Sequence, residues 1–177
     1  MRPASDCSGG AEAELDGPLV ADLLGDGLIG GPQELDLDSD RFCRFEATFA
    51  KVDDEELPAG APAALADQSI LVRGALDDGT PFQIASDIGD TLRLEPAEGD
   101  DFAVAPSTDC LLVALDPLSW LDDVYIEGAE HDGTIFIDDD ENDDLLDAFE
   151  DAFKDSIDLR SAEGGGCVAG PVLAEGT

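Results

Sequence analysis

Apolar and polar positions alternate most clearly through the middle of the chain. In Phe42 to Val52, Cys43, Phe45, Ala47 and Phe49 fall on one side and Arg44, Glu46 and Thr48 on the other, as in a strand with one face in the core. Ile70 to Leu76 and Phe82 to Ile88 are two more such runs, and Asp77-Asp78-Gly79-Thr80 between them predicts an antiparallel hairpin. Thr91 to Glu95, with Leu92 and Leu94 inward, is closed by Pro96, and Phe102 to Ala105 is a further short run before Pro106. Cys110 to Leu115 is apolar at every position, which predicts a central strand covered on both faces. Asp116 as cap, Pro117 as first residue and Trp120 one turn in predict a short helical turn. Val124-Tyr125-Ile126 and Thr134 to Ile137 complete about seven expected strands.

After Ile137 the period changes. Leu145, Leu146, Phe149, Phe153 and Ile157 recur at helical spacing, while Asp147, Glu150, Asp151, Lys154 and Asp155 take the opposite face. Asp143 and Asp144 suit the start of this helix, Lys154 and Arg160 its C-terminal end, and Gly164-Gly165-Gly166 is expected to stop it. Strands that do not alternate with long helices predict a mainly β, α+β fold: an antiparallel β-sandwich with one long amphipathic helix and one or two short ones. The expected division is an N-terminal arm and glycine-rich joint over residues 1–31, a sandwich body over 32–163 and an extended tail over 164–177. Within the arm, Asp16, Pro18 and Gly25 frame a short helix, whereas alternation of Leu15, Gly17, Leu19, Ala21 and Leu23 describes a strand; the helix is preferred. In either form Leu15, Leu19, Val20, Leu23 and Leu24 need cover from the same domain or from a neighbour.

Charge narrows the class of partner. The 177 residues include 44 acidic and only 8 basic side chains, a formal charge of -36, yet 43% are hydrophobic, so the chain reads as an acidic globular protein. Such a field repels nucleic acid and anionic lipid, and opposes folding unless a saline habitat screens it or divalent cations neutralise part of it. No run approaches the ~18 consecutive apolar residues of a membrane span, and no signal-like segment precedes Cys7. Cys7, Cys43, Cys110 and Cys167 lack metal-ligand spacing, and their even number favours disulfides over buried thiols. The expected pairing joins Cys43 with Cys110, both in strand-like runs, and Cys7 with Cys167, both in terminal segments, out of three possible connectivities.

The acidic turn Asp138-Asp139-Asp140-Glu141-Asn142-Asp143-Asp144 is the main candidate for chemistry, because hard cations collect several oxygens at one point. Counted from Asp139, Glu141, Asp143 and Glu150 occupy positions of a calcium loop, but Asp144 stands where that loop needs glycine and a strand rather than a helix leads in. Calcium is therefore the one cofactor the residues point to, beside the plainer reading of an acidic helix start. Asp36, Asp38 and Asp40 share a face if extended and form a second acidic set, read as a solvated connector. His131, the single histidine, lies in a glycine-containing turn and reads as a turn residue; Trp120 reads as core in preference to a sugar platform. With no nucleophile elbow and no phosphate-binding loop, no enzyme is expected.

The runs Asp78 to Ile84, Leu111 to Val124 and Asp140 to Leu159 resemble those of acidic, secreted or lipoprotein-type β-sandwich proteins of environmental bacteria, across roughly residues 42–160. That resemblance implies an extracellular or cell-surface location and no catalytic residues. By architecture, an apolar arm on a flexible joint is similar to donor-strand fibre subunits. The expected function is a non-enzymatic structural or cell-surface module, a homo-oligomer or polymer assembling head to tail through the arm. The alternative is a calcium-dependent binding or adhesion module using Asp138, Asp139, Asp140, Glu141, Asn142, Asp143 and Glu150.

Overall fold

The computed structural model describes residues 2–3, 13–15, 17–25, 27–29, 31, 33–37, 39–96, 100–105, 107–122, 124–163 and 172–176. In chain order the strands are β1 (Arg2–Pro3), β2 (Ala21–Asp22), β3 (Gly27–Leu28), β4 (Arg41–Thr48), β5 (Ile70–Ala75), β6 (Pro81–Ser86), β7 (Thr91–Pro96), β8 (Phe102–Ala103), β9 (Thr108–Leu115) and β10 (Ile135–Ile137). Helix α1 (Asp143–Asp155) and strands β11 (Ile157–Glu163) and β12 (Val172–Gly176) follow. A seven-stranded sheet runs β1-β4-β7-β12-β11-β9, with β8 beside β4; a three-stranded sheet runs β10-β6-β5, and β2 pairs with β3. All pairs are antiparallel except β10 with β6. The molecule is mainly β, in the α+β manner of a β-sandwich with one helix.

One apolar cluster joins these layers. The large sheet contributes Phe42, Leu94, Leu159 and Ala174, the smaller one Ile84, Ile135 and Ile137, and α1 contributes Leu146, Phe149 and Phe153. Trp120, in a 3-10 turn over Ser119–Leu121, meets Phe149 and Phe153 edgewise at centroid distances of 5.9 and 5.1 Å. Asp116 Oδ1 accepts from Leu118 N–H at 3.2 Å just ahead of that turn, which opens two residues later than expected, at Ser119, with Leu118 in the N-cap place and no side-chain cap bond. The β5–β6 hairpin closes as its turn chemistry predicts: Leu76 N–H donates to Thr80 O at 2.9 Å and Gly79 takes a φ of 88°. Thr80 N–H donates to Asp78 at 2.8 Å and holds that carboxyl below its ordinary pKa.

Several elements depart from the sequence expectation. The helix ends earlier, at Asp155, because Ser156 closes it: its N–H and Oγ both donate to Phe153 O, at 3.1 and 2.8 Å. Ile157 therefore opens β11, in which Ile157, Leu159 and Ser161 are buried on alternate positions, and Arg160 pairs with Asp158 at 2.9 Å. Ile157 satisfies both periods, and the strand wins. The glycines at 164–166 lie outside the described residues.

The preferred helix over Leu15 to Leu24 is replaced by the β2–β3 ladder. Asp22 Oδ1 accepts from Leu24 and Gly25 N–H at 3.1 and 3.0 Å, so a side chain two residues short of the expected helix end turns the backbone back instead. Asp16, its expected cap, lies outside the described residues. Val124-Tyr125-Ile126 is no strand but leads into a 3-10 turn over Ile126–Gly128, with Ile126 buried and Tyr125 exposed. In β4 the clean alternation is lost: Phe42 and Cys43 are both buried, because its first half pairs with β1 and β8 and its second half with β7.

Two placements matter most for function. β9, expected at the centre, lies at the end of the large sheet, paired with β11 alone among the described strands. The place between β7 and β11 is taken by β12, whose Ala174 faces Leu159 on one side and Pro96 on the other.

Candidate functional site

The acidic turn is built from both ends by the elements it joins. Asp138, delivered by β10, accepts through Oδ1 from the N–H groups of Asp140 and Glu141 at 3.0 and 2.9 Å, and its own N–H donates to Glu141 O at 2.9 Å. Asn142 then takes a left-handed φ of 59° at the helix start. Its side chain faces away from the helix: Oδ1 accepts from Glu130 N–H at 3.0 Å, and Nδ2 donates to Glu130 O at 3.1 Å and Phe136 O at 2.6 Å. The turn thus ties the strand, the helix and the 130 segment together. Asn142→Ala is expected to cost about 2–3 kcal/mol, from these bonds and the left-handed backbone, read as a lower urea midpoint.

As a cation site the turn is poorly arranged. Glu150, the last ligand of the calcium pattern, accepts from buried Ser86 Oγ on β6 at 2.6 Å. Asp139, Asp140, Glu141, Asp143 and Asp144 are exposed, and among the described residues no group of three or more Asp, Glu, His or Cys side chains is placed to hold a metal. The melting temperature is accordingly expected to be the same in millimolar calcium as in a control of equal ionic strength. Asp36 and Asp40 are exposed, and Asp38 lies outside the described residues. His131 is exposed in its turn, its Nδ1 accepting from Gly133 N–H at 3.4 Å.

Basic side chains are spent locally. Arg44 and Arg93 share Glu46, Arg41 pairs with Asp101, Lys51 with Asp87 and Lys154 with Asp90. The Asp90 carboxylate, 3.1 Å from Lys154 Nζ, raises that ammonium above its ordinary pKa through a hydrogen bond. A raised folded-state pKa stabilises below the unfolded lysine range and is lost as pH rises through the folded value, so this link between α1 and the segment before β7 is intact at neutral pH.

Among the described residues no cysteine is a free thiol. Cys43 lies on β4 and Cys110 on β9, with β7, β12 and β11 between them in the ladder order; Cys7 and Cys167 lie outside the described residues. No described helix is long and apolar enough to cross a membrane.

The arm is where the surface is least like the rest. Leu15, Leu19 and Leu23 are more than two-fifths exposed and Leu24 is 93% exposed, while Val20 is half-buried. None of the five belongs to the core cluster or to the apolar side chains packed on it. The exposure of Val113 on β9, 44%, and of Leu118 just beyond, 81%, was hidden from sequence reasoning, because all-apolar composition suits either a covered strand or an uncovered one. No protein-family model matches the chain, and neither a curated protein nor a solved structure matches it.

Proposed function

We propose that this protein is a non-enzymatic extracellular structural or cell-surface module whose N-terminal arm joins copies head to tail. The observation that carries the reading is the arm itself: four exposed leucines, at 15, 19, 23 and 24, outside the core of their own molecule. Exposed apolar side chains grouped on one segment mark a contact surface, and a contact between two different patches propagates without closing. The acid surface supports the same reading, since like charge discourages copies from associating through other faces. Oxidised cysteines support an extracytoplasmic compartment.

The test is electron microscopy and sedimentation of concentrated protein in high salt, with non-reducing mass analysis. Long polymers with all four cysteines oxidised are expected. A strict monomer at high concentration and high salt overturns the fibre, and reduced thiols in native material overturn the extracellular location.

A further inference from the structure

Cys43 and Cys110 are each held in a disulfide, and in each case the partner lies outside the described residues. They are not partners of one another, as their spacing in strand-like runs had suggested. β7, β12 and β11 lie between their strands, and four spacings of about 4.8 Å hold them roughly 19 Å apart, against the ~7 Å that a disulfide allows between Cα atoms. The chain has only two other cysteines, Cys7 and Cys167, so two connectivities remain.

Chain reach chooses between them. Ala162 on β11 stands opposite Cys110, and Cys167 is five residues on, within about 18 Å of extended chain. Pro3 on β1 stands opposite Phe42, the neighbour of Cys43, and Cys7 is four residues on. In the exchanged pairing Cys7 would have to reach Cys110, but β1 and β9 are the two ends of the ladder, five spacings or roughly 24 Å apart. Four residues of fully extended chain cover at most about 14 Å, which leaves roughly 10 Å, too wide for the bond. We infer that the disulfides join Cys7 with Cys43 and Cys110 with Cys167. Each forms as two thiols pass two electrons and two protons to an oxidising disulfide donor, which leaves as two thiols.

The first bond changes what the arm is. It closes the chain from Cys7 to Cys43 into a loop rooted on β4. Leu35 and Leu37, on the limb that returns to β4, pack against the core, whereas Leu15, Leu19, Leu23 and Leu24 stand exposed. The leucines are therefore carried between two fixed points and not on a free end. A segment held at both ends gives up less freedom on meeting a partner than a free end does. Its use as the surface that joins copies rests on the head-to-tail reading; the closure does not.

Trypsin separates the possibilities, because cleavage after Arg41, Arg44, Arg93, Lys154 and Arg160 puts the four cysteines on four different peptides. The full-length protein is unfolded with a thiol-blocking reagent present and digested without reductant. Residues 1–41 are expected linked to 42–44, and 94–154 to 161–177, each pair parting on reduction. Any other linkage, or a cysteine that takes the blocking reagent before reduction, overturns the assignment. A single protease nick between Leu15 and Leu24 in the native protein reads the loop directly. One band is expected without reductant and two with it; two bands without reductant overturn the closure. If both results are as expected and the protein still stays monomeric at high concentration and high salt, the head-to-tail reading falls and the disulfide assignment stands.

Discussion

Phe153→Ala is expected to lower the free energy of unfolding by about 3–5 kcal/mol, a large share of the 5–15 kcal/mol typical of a domain. Phe153 is 1% exposed and sits where three elements meet. Its ring stands edgewise to Phe49 at 4.8 Å and to Trp120 at 5.1 Å. Its carbonyl accepts both Ser156 bonds that end the helix, and Ser156 Oγ accepts in turn from Trp120 Nε1. The alanine variant keeps that carbonyl, so the loss reports the ring's burial and the cavity it leaves. Urea denaturation with an unchanged m-value measures it. Phe153→Leu, which retains most of the volume, should cost clearly less. A loss below about 1 kcal/mol for the alanine variant would mean that the C-terminal half of α1 is held by something other than this aromatic contact.

Salt is expected to raise the melting temperature by roughly 10 °C or more between 0.01 and 1 M, by an amount set by ionic strength and not by cation identity. The formal charge of -36 is spread over a molecule of roughly 16 Å radius of gyration. At 0.01 M the screening length is about 30 Å, so every carboxylate repels every other; at 1 M it is about 3 Å, and only neighbours remain in view. Unfolding spreads the charges apart, so low salt favours the unfolded chain. Local pairs such as Lys154 with Asp90 are weakened by the same salt, but these surface contacts are individually small. Thermal melts in sodium and potassium chloride decide it: a flat response would require that bound counter-ions already neutralise the surface.

Local chemistry was the legible part of the fold. The hairpin of β5 and β6 could be read because Asp78 and Gly79 act within their own turn, and the Trp120 turn because Asp116 bonds the backbone just ahead of it. Strand order was not legible, since it depends on pairings between distant segments: Ala174 beside Pro96, and β9 at the end of the ladder among the described strands. Ile157 fits the helical stripe and the following strand equally, and the choice rests on the hydrogen bonds of Ser156. At the arm, Asp22 turned the chain through its own carboxylate, a bond that periodicity does not register. In the acidic turn, abundance of carboxylates concealed that the organising residue is Asn142. The signal for it was an asparagine just ahead of a helix, a residue type that accepts left-handed backbone.

The position of β12 also constrains how the protein is made. β4 and β7 emerge from synthesis early, and so do the residues of β9, yet the strand that joins the two halves of the sheet is encoded by residues 172–176. Until those residues are free, β7 and β11 each present an unpaired edge in a nascent chain whose charge keeps other chains at a distance. A chain ending before Val172 therefore lacks the strand that bridges β7 and β11, and the two sides of the large sheet have no ladder between them there.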